Sequence, residues 1–282
     1  DANCSAGFTY NVVAEEGYHI DYIVLDGETD TTFSNQESEY NLDLTNITEA
    51  HTLEAYFAIN HYTVTVTAGE NGTIMMPGTH DVVYGDNMNF TIHAEGCYHI
   101  DSIKVNDEVI TFDDNTNLYE YALQNIDTDY VVSASFAINT YNITAIAGEN
   151  GTIEPAGVVT YPCDTTVTYT FTADSGYAVV DVLVNGTSIG VHDSYTFSNI
   201  AADNTIEVQF AAITYHVTAI AYGYGAVTPM DTTVNEGASV TLTFTPDSCY
   251  TLTEVLVNGA SYLDQVANNT LVLSDINADM NV

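Results

Sequence analysis

The strongest constraint on the fold is an internal repeat with a period of about 73 to 80 residues. One block recurs four times, opening with Gly-Tyr or Cys-Tyr and continuing into an alternation of Ile or Val. A Tyr-x-Val/Ile-Thr block opens three repeats, and a block ending in Phe-Ala closes three. Repeats of this length indicate tandem modules, each a small supersecondary unit. The four block tyrosines are Tyr18, Tyr98, Tyr177 and Tyr250.

The phase of the repeat divides the chain into four parts. Residues 1–59 form a partial module that lacks its first hairpin, and residues 60–137 and 138–211 form complete modules. Residues 212–282 form a module that lacks its last strand. We therefore expect a section of a longer array, or an array whose missing edges a neighbour supplies.

Alternating β-branched and polar residues predict strands throughout, as in Thr63–Thr67 and Val240–Phe244. Asn-Gly pairs predict tight hairpin turns at Asn185-Gly186 and Asn258-Gly259. No stretch has the 3.6-residue period of a helix. The sequence predicts all-β, β-sandwich-like modules of the Ig or β-grasp type, each with about six or seven short strands.

The charge balance excludes several functions. The 282 residues include 39 acidic residues and a single Lys or Arg, Lys104, for a formal net charge of -38 with histidines neutral. Nucleic-acid backbones and anionic membranes are bound through Lys and Arg, so neither is an expected partner. No apolar run reaches the length of a membrane helix, so membrane insertion is not expected either. The apolar fraction of 46% is too high for a disordered acidic tail.

The repeated motifs resemble those of the divergent internalin-type B-repeat modules. The relevant patterns are Y-x-[IV]-T-x-x-A-G-x-N-G-T-I-x-P, G-Y-x-[IV]-x-x-V-x-V-N-G, Y-x-F-x-N-I and T-I-x-V-x-F-A. They cover essentially the whole chain, although Gly223-Tyr224-Gly225 departs from the first. The resemblance implies a large secreted or surface protein of bacteria, especially Bacteroidota, with an adhesive, stalk or fibre role. It implies no catalytic residues.

The four cysteines follow the repeat. Cys4 and Cys163 lie fourteen residues before a block tyrosine, and Cys97 and Cys249 lie immediately before one. In one connectivity, Cys97 joins Cys163, and Cys249 joins the Cys4 equivalent of a following module or subunit. In the other, Cys4 joins Cys97 and Cys163 joins Cys249. Four free buried thiols are the remaining alternative, whereas disulfides would indicate an extracellular protein.

Two acidic loops are candidate calcium sites, because hard cations bind clustered oxygen ligands. Neither loop has the spacing of an EF-hand, and solvated acidic turns are the alternative. About ten negative charges per module would repel along an array, which divalent cations would relieve. The candidate ligands are Asp113, Asp114, Asn115 and Asn117 in one loop and Asp26 and Asp30 in the other.

Asp-Thr-Thr triplets suggest O-linked glycosylation at Thr31, Thr165 or Thr232.

We find no nucleophile elbow and no H-E-x-x-H motif, and so expect no enzymatic activity. The leading hypothesis is an extracellular structural array that forms a filament or surface stalk, with itself as partner. The alternative is a surface adhesin that presents loops to glycans or host proteins, with tyrosines as stacking surfaces.

Overall fold

The computed structural model describes residues 6–30, 33 and 37–282. These residues form 29 β-strands and one short 3-10 turn, Leu263–Gln265, and they contain no α-helix. The prediction of an all-β tandem repeat is confirmed. The chain divides into two compact units, Asp1–Asn139 and Thr140–Val282, which are described separately below.

The first unit holds thirteen strands, five before residue 60 and eight after it. They are β1 (Ala6–Val13), β2 (Tyr18–Leu25), β3 (Glu28–Asp30), β4 (Glu39–Ile47), β5 (Leu53–Ile59), β6 (His61–Ala68), β7 (Gly72–Ile74), β8 (Gly78–Val83), β9 (Met88–Ala94), β10 (Tyr98–Val105), β11 (Glu108–Val109), β12 (Leu118–Leu123) and β13 (Tyr130–Ile138).

The complete module of this unit is built from two sheets. One has five strands in the order β11-β10-β13-β6-β8, and the other has three in the order β12-β9-β7. The closing strand β13 lies in the middle of the larger sheet, antiparallel to β10 and parallel to the first strand β6. The strands before residue 60 form a three-stranded sheet, β3-β2-β5, and a two-stranded sheet, β1-β4.

The second unit holds sixteen strands, eight in each module. They are β14 (Thr140–Ala147), β15 (Gly151–Glu154), β16 (Gly157–Pro162), β17 (Val167–Ala173), β18 (Tyr177–Val184), β19 (Thr187–Gly190), β20 (Ser194–Phe197), β21 (Asn204–Ala212), β22 (Thr214–Thr218), β23 (Gly225–Thr228), β24 (Asp231–Asn235), β25 (Val240–Pro246), β26 (Leu256–Val257), β27 (Ala260–Ser261), β28 (Thr270–Leu273) and β29 (Met280–Asn281).

The two modules of this unit differ in one sheet. The third module repeats the arrangement of the second, with sheets β16-β14-β21-β18-β19 and β15-β17-β20. In the fourth module the larger sheet is divided into β24-β22-β29 and a separate hairpin, β26-β27, while β23-β25-β28 is kept. Despite the Gly223-Tyr224-Gly225 departure, β23 still forms and pairs with β25.

Each of the last three modules has its own apolar core between its sheets. The alternation read from the sequence produces these cores, because every second strand residue points inward. In the third module, for example, Ile143, Ile206 and Val208 from the larger sheet meet Tyr169 and Phe171 from the smaller one. Burial raises the pKa of the Tyr169 phenol, whose hydroxyl donates to that of Tyr161.

The hairpin turns follow the sequence prediction. Asn185-Gly186 and Asn258-Gly259 both have positive φ at each residue and connect strands through two-residue loops. The Asn185 side chain also accepts a hydrogen bond from the Thr205 amide at 2.8 Å, which ties the turn to the segment entering the closing strand. Asn258 makes the same bond to the Asn281 amide.

Two details differ from the sequence expectation. The complete modules contain eight strands rather than six or seven, because short strands such as β11 and β19 form directly after two-residue turns. A β-bulge interrupts the register of β2 between Ile20 and Tyr22, and β10 and β18 carry bulges at the same place. The bulge inserts an extra residue and shifts the alternation of faces, so His19 is buried and Asp21 is exposed.

Candidate functional site: the module junctions

Successive modules are connected by single residues. The closing strand of one module and the first strand of the next are separated by Asn60, Asn139 or Ile213. A one-residue connection leaves few backbone dihedrals to vary. The contacts around each connecting residue are therefore the candidate functional site of an array.

The first junction lies within the first unit. The amide of Asn60 donates to the carbonyl of Gly17 at 2.8 Å, and the amide of Tyr84 donates to the carbonyl of Asn60 at 2.9 Å. The Asn60 side chain also hydrogen-bonds to His19 Nδ1 at 2.9 Å. The connecting residue is thus held by the preceding module through Gly17 and His19 and by the following module through Tyr84.

The Tyr84 ring covers Gly17 at this junction. A Cβ atom on Gly17 would lie 2.1 Å from Tyr84 Cδ1, so only glycine allows this approach. A hydrogen bond to Glu16 raises the pKa of the Tyr84 phenol. The junction therefore combines main-chain hydrogen bonds with a ring that contacts the backbone of the neighbouring module.

A junction within the second unit has the same hydrogen bonds. The amide of Ile213 donates to the carbonyl of Gly176 at 2.9 Å, and the amide of Glu236 donates to the carbonyl of Ile213 at 2.9 Å. Glu236 stands fourteen residues before a block tyrosine, as Tyr84 does. The hydrogen-bond pattern is therefore independent of the side chains that occupy these positions.

Cysteines occupy the same two positions in the middle of the chain. Cys97 corresponds to Gly17, and its carbonyl accepts a hydrogen bond from the Asn139 amide at 2.7 Å. His99 Nδ1 hydrogen-bonds to the Asn139 side chain at 2.9 Å, as His19 does to Asn60. Cys163 corresponds to Tyr84 and is buried.

The cysteines fall into different states. Cys97 and Cys163 are disulfide-bonded, so the alternative of four free thiols is wrong. Cys249 carries a free, exposed thiol, so the connectivity that joins it to Cys163 is not the one formed in this structure. Cys4 lies outside the described residues.

The residue before each block tyrosine has a left-handed backbone. The φ values are 83° at Gly17, 64° at Cys97, 82° at Gly176 and 72° at Cys249. Glycine tolerates this conformation, whereas a residue with a Cβ is disfavoured there. Sequence reasoning missed this constraint, although the alternation of Gly and Cys at one repeat position was a visible signal of it.

The calcium candidates are placed in two loops. Asp113, Asp114, Asn115 and Asn117 are exposed between β11 and β12, where the Thr116 hydroxyl donates to the Asp113 carbonyl at 2.6 Å. Among the described residues, no group of three His, Cys, Asp or Glu side chains is arranged to bind a metal ion. Calcium binding stays a prediction.

The second candidate loop is held by side chains of its own module. Asp26 accepts hydrogen bonds from the Thr52 amide at 2.8 Å and from His51 at 2.5 Å. The His51 hydrogen bond is the main cause of a lowered pKa at the Asp26 carboxyl. The side chain of Asp30 is outside the described residues, so this loop gives no described ligand pair.

The glycosylation candidates are partly accessible. Thr165 and Thr232 are half-buried, Thr165 in a turn and Thr232 in the edge strand β24. Thr31 lies outside the described residues. Modification at these sites stays a prediction.

This fold, with repeated modules joined by recurrent junctions, defines a tandem β-repeat protein of the bacterial surface type. The chain belongs to the divergent InlB B-repeat family, whose domain matches residues 62–140, 141–214 and 215–280. The family is typically non-catalytic and is found in surface proteins, and disulfide-bonded cysteines agree with an extracellular location. No described helix has the length and apolar character needed to cross a bilayer.

The TIE protein of Bacillus anthracis is similar at a TM-score of 0.36 and 9% identity, over 98% of this chain and 67% of that protein. No curated protein matches the sequence.

Proposed function

We propose that this chain is a non-enzymatic, extracellular structural array that forms a filament or surface stalk with other copies of itself. The observation that supports this proposal is the recurrence of one set of junction hydrogen bonds at Asn60 and at Ile213. A contact that recurs at module boundaries allows further modules to be added in series through the same interface.

The proposal includes a disulfide between Cys97 and Cys163. Both residues are disulfide-bonded, and they occupy the positions of Gly17 and Tyr84, which contact each other at the first junction. Closing a loop of this length would stabilise the folded chain by roughly 4 kcal/mol in the chain-entropy model. The disulfide would therefore reinforce a junction that is elsewhere held by non-covalent contacts.

The same correspondence supports head-to-tail assembly through Cys249 and Cys4. Cys249 takes the Gly17 position in the fourth module, and Cys4 takes the Tyr84 position by its spacing. Cys249 is exposed and has a left-handed backbone that would favour glycine. A thiol retained at an unfavourable and accessible position fits a covalent role between copies.

Non-reducing electrophoresis of the oxidised, purified protein tests this assembly. We expect a ladder of multimers at steps of about 30 kDa that collapses to monomer with reductant. Cys249→Ser and Cys4→Ser should each abolish the ladder, and an equimolar mixture of the two variants should form dimers. A ladder that stops at dimers in the wild-type protein, or that persists in Cys249→Ser, would contradict head-to-tail linkage. Negative-stain microscopy should show filaments only in the sample with the ladder.

We also propose that calcium supports the array. Every module is strongly acidic and Lys104 is the only Lys or Arg, so bound cations would reduce repulsion along the chain. A chelator should lower the melting temperature if calcium binds in the Asp113–Asn117 loop. An unchanged melting temperature on addition of chelator or calcium would rule out this structural role.

A second candidate function is glycan or host-protein binding. Two stacked tyrosine pairs favour it: the half-buried Tyr22 stacks on the exposed Tyr56 at 4.4 Å, and the exposed Tyr224 and Tyr250 stack on each other at 4.5 Å. Exposed aromatic rings are suitable for stacking on sugars. Binding to a glycan array that is lost in Tyr22→Ala would favour this function, whereas filaments without glycan binding would favour the array.

A further inference from the structure

The strand β16 forms one edge of the larger sheet in the third module, where β14 is its neighbour. It spans the six residues Gly157–Pro162, four of which are exposed. Val158 is the most accessible apolar side chain of this strand, with 65% of its surface exposed. The outer side of β16 is therefore open to a further strand.

The backbone of β16 presents hydrogen-bonding groups outward at alternate residues. The amide of Asn142 in β14 points away from β16, because it donates to the Asp203 carboxylate beside β21 at 2.8 Å. Asn142 and the opposite residue Thr160 are therefore a non-hydrogen-bonded pair. The amides and carbonyls of Thr160 and Val158 consequently point away from the sheet. Within the described part of the chain, no main-chain group from outside the sheet pairs with them.

The same edge carries an aspartate in the second and fourth modules. By the register against the first strand of each module, Thr160 takes the position of Asp81 in β8, and Val158 takes that of Asp231 in β24. Each aspartate also lies near Nδ1 of a histidine in the first strand, at 2.9 Å and 3.9 Å. Charged side chains on an edge strand oppose pairing with another chain. β16 contains no charged residue, although the chain has a formal net charge of -38.

Two copies of β16 are complementary to each other about a two-fold axis through Val159. In this antiparallel register, Val158 lies opposite Thr160 of the second copy, so the outward amides and carbonyls of the two strands meet. The symmetry forms this hydrogen-bonded pair twice. The two Val159 residues face each other as a non-hydrogen-bonded pair, with about 4.5 Å between their Cα atoms. Pro162, which lacks an amide, lies beyond both pairs and removes no hydrogen bond from them.

We propose that β16 is a lateral contact surface that pairs with β16 of a second copy of this chain. The contact joins two five-stranded sheets into one continuous sheet and uses the same residues on both sides. It involves neither Cys4 nor Cys249, so it acts between arrays that lie side by side rather than along one array. A single pair of strands buries little surface and binds weakly. Parallel arrays repeat the contact and gain avidity.

Sedimentation velocity of the full chain with Cys4→Ser and Cys249→Ser tests the contact without head-to-tail disulfides. We expect a reversible dimer with twice the 30.5 kDa mass of the chain and a dissociation constant between about 10 µM and 1 mM. Dimerisation should strengthen as salt rises from about 50 to 500 mM, because screening reduces the repulsion between two acidic chains.

Val158→Asp introduces the residue that the fourth module carries at this edge, so the third module should still fold. Two-fold symmetry places the new charge in the interface twice, and the dissociation constant should rise at least about fivefold. Val191→Asp is the matched control, because Val191 is 64% exposed in the same module and lies outside the strands. It adds the same charge and should leave the dissociation constant unchanged. Thr160→Asp introduces the residue of the second module's edge and should act like Val158→Asp.

Cysteine cross-linking in the same background tests the register. Val159→Cys should form an intermolecular disulfide quickly, because the two-fold axis places its Cα atoms within the range for a disulfide. Val158→Cys is more exposed but should cross-link more slowly, because the two copies of residue 158 are offset along the strands. Collisions without a fixed register would give the reverse order.

Three results would overturn the proposal: a chain that stays monomeric at about 1 mM, equal dimerisation of the wild-type edge and Val158→Asp, or faster cross-linking at position 158 than at position 159. The two cysteines of the head-to-tail linkage are absent from these measurements. The lateral contact can therefore fail while the wild-type chain forms its disulfide ladder, and it can form where that ladder does not.

Discussion

The third and fourth modules have the same sequence pattern and differ in how far the closing strand extends. In the third module, β21 runs for nine residues and joins β14 to β18 in one five-stranded sheet. In the fourth, β29 has two residues, and the corresponding sheet is divided. Both modules keep the smaller sheet and a buried core.

This difference shows which element completes the module. The first hairpin and the smaller sheet form in both modules, so they do not require the full closing strand. The segment before β26 does require it, because the central strand supplies the hydrogen-bond partners of both neighbours. The closing strand is therefore the element that converts two half-sheets into one.

The largest expected effect concerns the core side chains of the two closing strands. Ile206 is fully buried in β21, whereas its counterpart Val282 is only partly buried. Ile206→Ala should reduce the free energy of unfolding by about 2–5 kcal/mol. Val282→Ala should cost about 1 kcal/mol or less, because less apolar surface is lost. Chemical denaturation of both variants measures the difference, and equal losses would contradict the proposed role of β21.

A smaller loss of stability is expected at the glycine against which a phenylalanine ring packs in a complete module. In the second module, a methyl group on Gly72 would overlap the Phe136 ring, so Gly72→Ala should cost about 1–3 kcal/mol. Gly96→Ala is the control, because nothing lies within 4 Å of its Cβ position. If thermal unfolding has the same midpoint for both variants, the close packing of the Phe136 ring does not require a glycine at position 72.

The third and fourth modules should lose similar stability when an equivalent aspartate is replaced in each. Asp203 accepts a hydrogen bond from the Asn142 amide at 2.8 Å, and Asp279 accepts one from the His216 amide at 2.8 Å. Each alanine substitution should cost about 1 kcal/mol, since it removes one exposed hydrogen bond. Urea denaturation measures both variants. A large loss of stability in only one of them would show that the two aspartate hydrogen bonds are not equivalent.

The smallest effect should be a gain in stability at Cys249. The third module has Gly176 at this left-handed position, and Cys249→Gly should raise the free energy of unfolding of the reduced monomer by about 0.5–1 kcal/mol. The reason is that glycine removes the unfavourable Cβ. Gly176→Ala, the reverse change, should destabilise by a similar amount. A loss of stability in Cys249→Gly, measured by denaturation in reductant, would show that the thiol contributes to folding.

Much of this architecture could be predicted from the sequence, because it depends on local patterns. Alternation predicts the strands, and Asn-Gly pairs predict the turns at Asn185 and Asn258. The β-bulge beside Asp21 could not be predicted, since it depends on pairing with β5. The parallel pairing of first and closing strands is also a long-range feature with no local signal.

The candidate site was predicted in part. The repeat positions of Cys97 and Cys163 singled them out, and both are disulfide-bonded. The reason for their spacing needed the structure, which shows that their counterparts Gly17 and Tyr84 meet at a junction. The acidic loops stay a prediction, because no group of three metal-binding side chains is found among the described residues and clustering along the chain does not establish that carboxylates converge in space.

Mass spectrometry of an unreduced peptic digest tests whether one junction geometry is repeated along the array. Pepsin is used because Lys104 is the only Lys or Arg and trypsin has a single site. With free thiols blocked first, we expect a peptide that contains Cys97 linked to one that contains Cys163, and a blocked Cys249 in the monomer. A blocked Cys97 or Cys163, or a link between either residue and any other cysteine, would contradict it.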